Sequence, residues 1–182
     1  MVNNSTLSTA PFTLQGSCLC TAIKYIIKIP NITSRPTVAS SSSSAATLVP
    51  SNEVNSHLPL IILDHCTSCR KAAGSIIESW IICPQDWVQF KLRQRVLESK
   101  SESENKGSKQ EEICIDAGEF VRPSAELREK SYIGYYNSSE NVHRTFCGMC
   151  GTHFTYSWSD GIKESVKHWG AILDIALGTL DK

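Results

Sequence analysis

Arg144-Thr145-Phe146-Cys147-Gly148-Met149-Cys150-Gly151-Thr152 is the stretch that decides how this chain is read. Cys147 and Cys150 enclose a glycine and are followed by another. Glycine supplies the positive φ that a tight turn needs, so both sulfurs can face one point. Such a knuckle offers two ligands, whereas a closed structural zinc site takes four. Cys18-Leu19-Cys20 is the best candidate to complete it, and the shared metal would then clip the beginning of the domain to its end. The alternative is that these are small buried thiols packed as hydrophobes.

The bulk properties bound the rest. A chain of 182 residues predicts a single domain. Its hydrophobic share of 41% is a little low for a globular protein, and two polar tracts account for the deficit. Lys+Arg and Asp+Glu both number 18, a balance that argues against a broad basic face for nucleic acid or anionic lipid. Met1 to Gly16 has neither a basic start nor an apolar run, and no segment approaches the roughly 20 apolar residues that span a bilayer. A cytoplasmic protein with reduced thiols is expected, its sequon-like Asn3, Asn31 and Asn137 triplets being incidental. In that setting eight cysteines, most of them in close pairs, point to metal rather than disulfides.

Along the chain, residues 1–12 are expected to be a disordered leader and 13–182 the domain. Ile23, Tyr25, Ile27 and Ile29 alternate with Lys24 and Lys28, the pattern of a half-buried strand that Pro30 ends. Residues 34–57, with five serines in a row, predict a flexible insertion, and the charged stretch 97–112 predicts a second. Between them lie an expected strand at Leu60–Leu63, a helical turn at Lys71–Gly74, a strand at Ile76–Ile82, a turn at Pro84–Trp87 and an extended segment at Phe90–Val96. Further strands are expected at Ile113–Val121, Tyr132–Tyr136 and Val142–Phe146. Another runs from Thr152 to Trp158, with Phe154, Tyr156 and Trp158 on one face, and Val166–Leu177 reads as strand-rich. Many short strands with turn punctuation predict a mainly β domain.

A second constellation is Asp64, Cys66 and Cys69. Three donors leave a coordination position open, which marks a catalytic rather than a structural zinc. The alternative is that Asp64 is a solvated acid or a cap for the helical turn after it, and that the two thiols bind metal weakly or not at all.

Four motifs then occur in one order: Gly16-Ser17-Cys18-Leu19-Cys20, His65-Cys66-Thr67-Ser68-Cys69-Arg70-Lys71, Arg144 to Thr152, and Gly178-Thr179-Leu180-Asp181. Together they resemble the glutathione-dependent formaldehyde-activating enzyme and centromere protein V family over most of residues 13–181. The resemblance implies a β-tent (Mss4-like) fold of antiparallel sheets and a closed structural zinc at Cys18, Cys20, Cys147 and Cys150. It also implies a second, more labile zinc held by a Cys-x-Cys-x-x-Cys pattern. Here Asp64 stands at the first cysteine of that pattern, and carboxylate oxygen also ligates zinc. Relatives usually continue past the Gly-Thr-Leu-Asp motif.

The activity implied is that of a carbon–sulfur lyase acting on adducts of a thiol such as glutathione with an aldehyde. Asp64, Cys66 and Cys69 would hold the open zinc, and Arg70, Lys71 or Arg144 would attract a carboxylate of the thiol substrate. The contrasting expectation is a non-catalytic zinc-binding structural or protein-interaction module, and nucleic-acid binding ranks third. Cys83 and Cys114 are expected as core thiols. His65 is expected to lie beside the ligands without joining them, His143, His153 and His168 to be packed or on the surface, and His57 to belong to the first insertion. Trp80, Trp158 and Trp169 are expected to fill core or line a pocket.

Overall fold

The computed structural model describes residues 8–38, 56–95, 111–159 and 169–181. The leader at 1–7 and most of both predicted insertions, at 39–55 and 96–110, fall outside them, as does His168. What is described is mainly β and antiparallel.

One sheet has four strands: β1 (Phe12–Ser17), β2 (Ile23–Ile29), β7 (Val88–Arg93) and β8 (Glu112–Asp116), in the order β1-β2-β7-β8. The alternation in β2 is realised, with its isoleucines and Tyr25 buried and its lysines exposed. Strand β1 was not foreseen, and Phe12 belongs to it rather than to a leader. The chain before it is held as well, because Arg35 Nη2 donates to the carbonyls of Ser8 and Ala10.

The other sheet has six strands. They are β5 (Leu60–Asp64), β6 (Glu78–Pro84), β9 (Ile133–Ser139), β10 (Val142–Cys147), β11 (His153–Trp158) and β12 (Ile172–Ala176), in the order β5-β6-β12-β11-β10-β9. A two-stranded ribbon, β3 (Thr37–Val38) with β4 (Ser56–His57), occupies the ends of the first predicted insertion, so His57 sits in a strand. The main core lies between the two large sheets. Ile23, Tyr25, Ile27, Phe90 and Leu92 from one meet Ile81, Cys83, Phe154, Leu173 and Ile175 from the other. Burying apolar area of this kind is the principal term stabilising the domain.

Three helices depart from the sequence expectations. The expected turn at Lys71–Gly74 is the end of a longer helix, α1 (Thr67–Ala73), closed by Gly74 at φ +64°. The expected strand Ile113–Val121 breaks at Asp116, whose carboxylate accepts from the Glu119 N–H and starts α2 (Ala117–Val121). Ser124 caps α3 (Ala125–Lys130) in the same way. β6 begins two residues later than expected, leaving Ile76 and Ile77 exposed.

The face expected for β11 is also corrected. Thr145 pairs with Thr155 but Phe146 pairs with His153, so Phe154 is an extra residue in the ladder. This bulge turns Phe154 into the main core, while Tyr156 faces the outer side with Trp80. Trp158 is exposed and lies outside the core, and Cys114, expected in the core, is exposed on β8. Cys83 is buried, as expected.

Candidate metal centres

The first centre forms where two turns meet. Cys18 and Cys20 come from the turn between β1 and β2, Cys147 ends β10, and Cys150 lies in the turn between β10 and β11. All four sulfurs lie within 4.8 Å of one another. Cys18 and Cys20 stand 3.5 Å apart, and Cys20 and Cys147 3.6 Å. Tetrahedral zinc with bonds of about 2.3 Å would separate its sulfurs by about 3.8 Å, so the donor set fits such an ion. Gly151, at φ +77°, makes the bend that returns the chain after Cys150.

Hydrogen-bonding groups surround these sulfurs. The Ile23 N–H donates to Cys18 Sγ at 3.3 Å, and the Thr152 hydroxyl lies 3.1 Å from Cys150 Sγ. Burial pushes the Cys18 and Cys147 thiols up. Burial also opposes ionisation of Cys150, but hydrogen bonds from Thr152 and Cys20 outweigh it and hold that thiol down to about 6.

The second centre sits on the outer face of the six-stranded sheet. Asp64 ends β5, Cys66 caps α1, and Cys69 is one turn in and buried. Their donor atoms also lie within 4.8 Å of one another. Asp64 Oδ1 accepts from the Cys66 N–H at 2.9 Å, and Oδ2 from the Cys69 thiol at 3.1 Å. Cys66 Sγ in turn accepts from the Cys69 N–H. Burial would raise the Asp64 carboxyl, yet these hydrogen bonds lower it, whereas burial pushes Cys69 up to about 12. Two thiols and a carboxylate suit a divalent ion such as zinc, and Cys66 faces solvent.

Arg144, expected to attract a carboxylate of the thiol substrate, is 1% exposed. Its place in the middle of β10 aims it at the outer face, between the rings of Trp80 and Tyr156, at 5.9 and 4.9 Å from their centroids. Nη2 reaches Cys69 Sγ at 3.3 Å and Nε donates to Ser138. Arg70 and Lys71 are exposed on α1, and His65 is exposed beside the donors without joining them.

Glu78 and Asp174, which the sequence did not single out, and His153, expected to be packed or on the surface, surround this centre. Asp174 on β12 lies opposite Tyr156 and Ile82, and burial pushes its carboxyl up to about 7 against the pull of Arg144. His153 Nδ1 lies 3.4 Å from Glu78 Oε2. Burial, helped by Arg144, pushes His153 down to about 4, and burial raises Glu78, so this contact is not an ion pair at neutral pH. Strand alternation could have placed Glu78, Trp80 and Asp174 on one face, but the bulge that brings His153 there leaves no signature in sequence.

Elsewhere, His143 is buried against Tyr135. Trp169 donates to the Thr37 carbonyl and lines a surface cleft with Trp87. Among the described residues no helix is long and apolar enough to cross a membrane. Compared with models of known protein families the sequence matches none, and compared with curated proteins it likewise finds no match.

Proposed function

We propose that the chain is a zinc-dependent carbon–sulfur lyase of the β-tent type, forming or cleaving thiol–aldehyde adducts at Asp64, Cys66 and Cys69. The observation that supports this best is three convergent donors with a solvent-facing side, on a domain whose four-cysteine centre is a separate, closed set. The reaction class comes from the resemblance of the four ordered motifs to those of the formaldehyde-activating and centromere protein V family. Bound at the open set, zinc would hold a substrate thiol as thiolate or polarise an aldehyde carbonyl. The chain's own residues do the rest. Trp80, Ile62 and Tyr156 form an apolar floor around Cys69. Exposed Arg70 and Lys71 attract a carboxylate such as glutathione carries. In adduct formation the carbon–sulfur bond forms as the thiol proton passes to the carbonyl oxygen, and cleavage reverses both. All eight cysteines are free, which suits a reducing compartment such as the cytoplasm.

A second reading has its own observation. The Asp64 carboxylate is already satisfied by the Cys66 N–H and the Cys69 thiol, the role of a cap that needs no metal. On that reading the domain is a zinc-stabilised interaction module. Zinc per chain on native protein and Asp64→Ala, with rates on an aldehyde panel with and without glutathione, separates the two. Two zincs falling to one, with glutathione-dependent turnover, supports the enzyme. No turnover on any aldehyde with two zincs loaded would sink it.

A further inference from the structure

We propose that Arg144 is the positioning residue of the Asp64–Cys66–Cys69 centre, a buried counter-cation that aims Cys69 and neutralises the metal-loaded ligand set. This rests on the metal reading above but concerns a residue outside the ligand set.

The case begins with an imbalance. A guanidinium taken out of water needs a counter-charge and partners for its N–H groups, and leaving either unmet is costly. Arg144 is buried, and among the described residues no carboxylate lies within ion-pair distance of it, the Glu78 and Asp174 carboxyls feeling its charge only from farther off while burial favours their neutral forms. Nε has Ser138, Nη2 has the Cys69 sulfur, and Nη1 is buried with no hydrogen-bond partner. The rings of Trp80 and Tyr156 offer their negative faces, which offsets only part of a full charge.

The second centre supplies what is missing. Two thiolates and a carboxylate carry three negative charges, and a divalent ion brings two positive ones. The loaded set is left with one net negative charge, and Arg144 cancels it. The contact is direct, because Nη2 lies 3.3 Å from the sulfur of Cys69, the one buried donor of the three. Held by Arg144 on one side and Asp64 Oδ2 on the other, that sulfur has its direction fixed before any ion arrives. Groups that orient metal ligands in this manner typically contribute 10–100-fold in affinity.

The test is a cobalt titration with the four-cysteine centre first filled with zinc. The thiolate-to-cobalt charge-transfer band reads the second equivalent, and a competing chelator gives its affinity. Arg144→Gln is expected to weaken that equivalent by about 10–100-fold and to alter the band, with zinc in the first centre unchanged. Arg144→Lys, which keeps the charge but loses the planar fork, is expected to fall between. Because a buried substitution can impair folding, the native protein provides a second measurement. With nitrogen-15 arginine, the Arg144 Nε–H resonance should move as the second equivalent of zinc binds. A second equivalent bound equally well by Arg144→Gln, or an unmoved resonance, overturns the role of Arg144 alone. No second equivalent in native protein overturns the metal reading itself, and this inference with it.

Discussion

The sulfurs of Cys20 and Cys147 lie 3.6 Å apart although 127 residues separate them in the chain. Cys20 lies in a turn of the four-stranded sheet and Cys147 ends a strand of the six-stranded one, so a metal between them would fasten one sheet to the other at a corner. Binding free energy at such a site is folding free energy, since the unfolded chain holds no preformed site. Chelation, or Cys147→Ser, is therefore expected to cost about 3 kcal/mol or more, which for a chain this size lowers Tm by roughly 6–12 °C. Thermal melts by circular dichroism with and without chelator check it. An unchanged Tm after complete metal removal would mean the four thiols only pack.

Gly16 has no room for a side chain. A Cβ there would stand 2.3 Å from the Tyr25 ring and 2.5 Å from the Thr179 carbonyl oxygen. Tyr25 is itself fixed by a hydrogen bond to Thr179, at the bridge where Gly16 meets Leu180. Gly16→Ala is expected to destabilise by about 1–3 kcal/mol, as overpacking does, measured as a lower urea midpoint. A midpoint within error of the native value would show that this corner yields easily.

His153 and Asp174 predict pH effects of opposite sign. His153 has its pKa depressed from 6.5 to about 4, so below pH 6.5 the unfolded chain takes up the proton first. The stability that neutral His153 contributes is present above 6.5 and lost as pH falls toward 4. Asp174 is raised from 3.8 to about 7, so its contribution is present below 3.8 and lost as pH rises toward 7. Relative to native protein, His153→Gln should therefore gain stability as pH falls from 6.5 to 4, and Asp174→Asn as pH rises from 4 to 7. Urea titrations at pH 4, 5.5 and 7 give both differences, and parallel curves would refute the assignments.

Thiol reactivity should divide by position. Cys66 and Cys114 are exposed, whereas Cys69 is buried and hard to ionise. Iodoacetamide on protein whose four-cysteine centre alone is filled with zinc is expected to label Cys66 and Cys114 first. Adding zinc should protect Cys66 and leave Cys114 unaffected, which peptide mass spectrometry can follow. Equal protection of both, or of neither, would speak against metal at the second centre.

The parts of the fold legible in sequence were those written in local periodicity. The alternation from Ile23 to Ile29 gave the central strand of the first sheet, and the paired cysteines gave both donor sets. β1 escaped because Thr13 and Gln15 face solvent and Phe12 and Leu14 are only half-buried, which yields a weak pattern. The Asp116 and Ser124 caps were readable as helix starts, but Ile113, Ile115 and Val121 around the first suggested one long strand. Arg144 stands among the expected site residues, but its burial does not show in the sequence. Whether an arginine faces solvent or the underside of a helix depends on what lies across the sheet, and Cys69 and Ser138 reach it from separate elements.

Arg93 pairs with Glu112 across β7 and β8, and Val38 with Ser56 across β3 and β4. Each long polar stretch thus departs and returns at neighbouring backbone positions. The opposite ends of the domain also meet, since the Asp181 N–H donates to the Gln15 carbonyl. Chain order is therefore separable from strand arrangement. A rearranged gene that joins residue 181 to residue 8 through a linker and opens between Arg93 and Glu112 would encode every strand pairing described. This domain is accordingly a scaffold whose point of entry can be moved, with both donor sets carried intact.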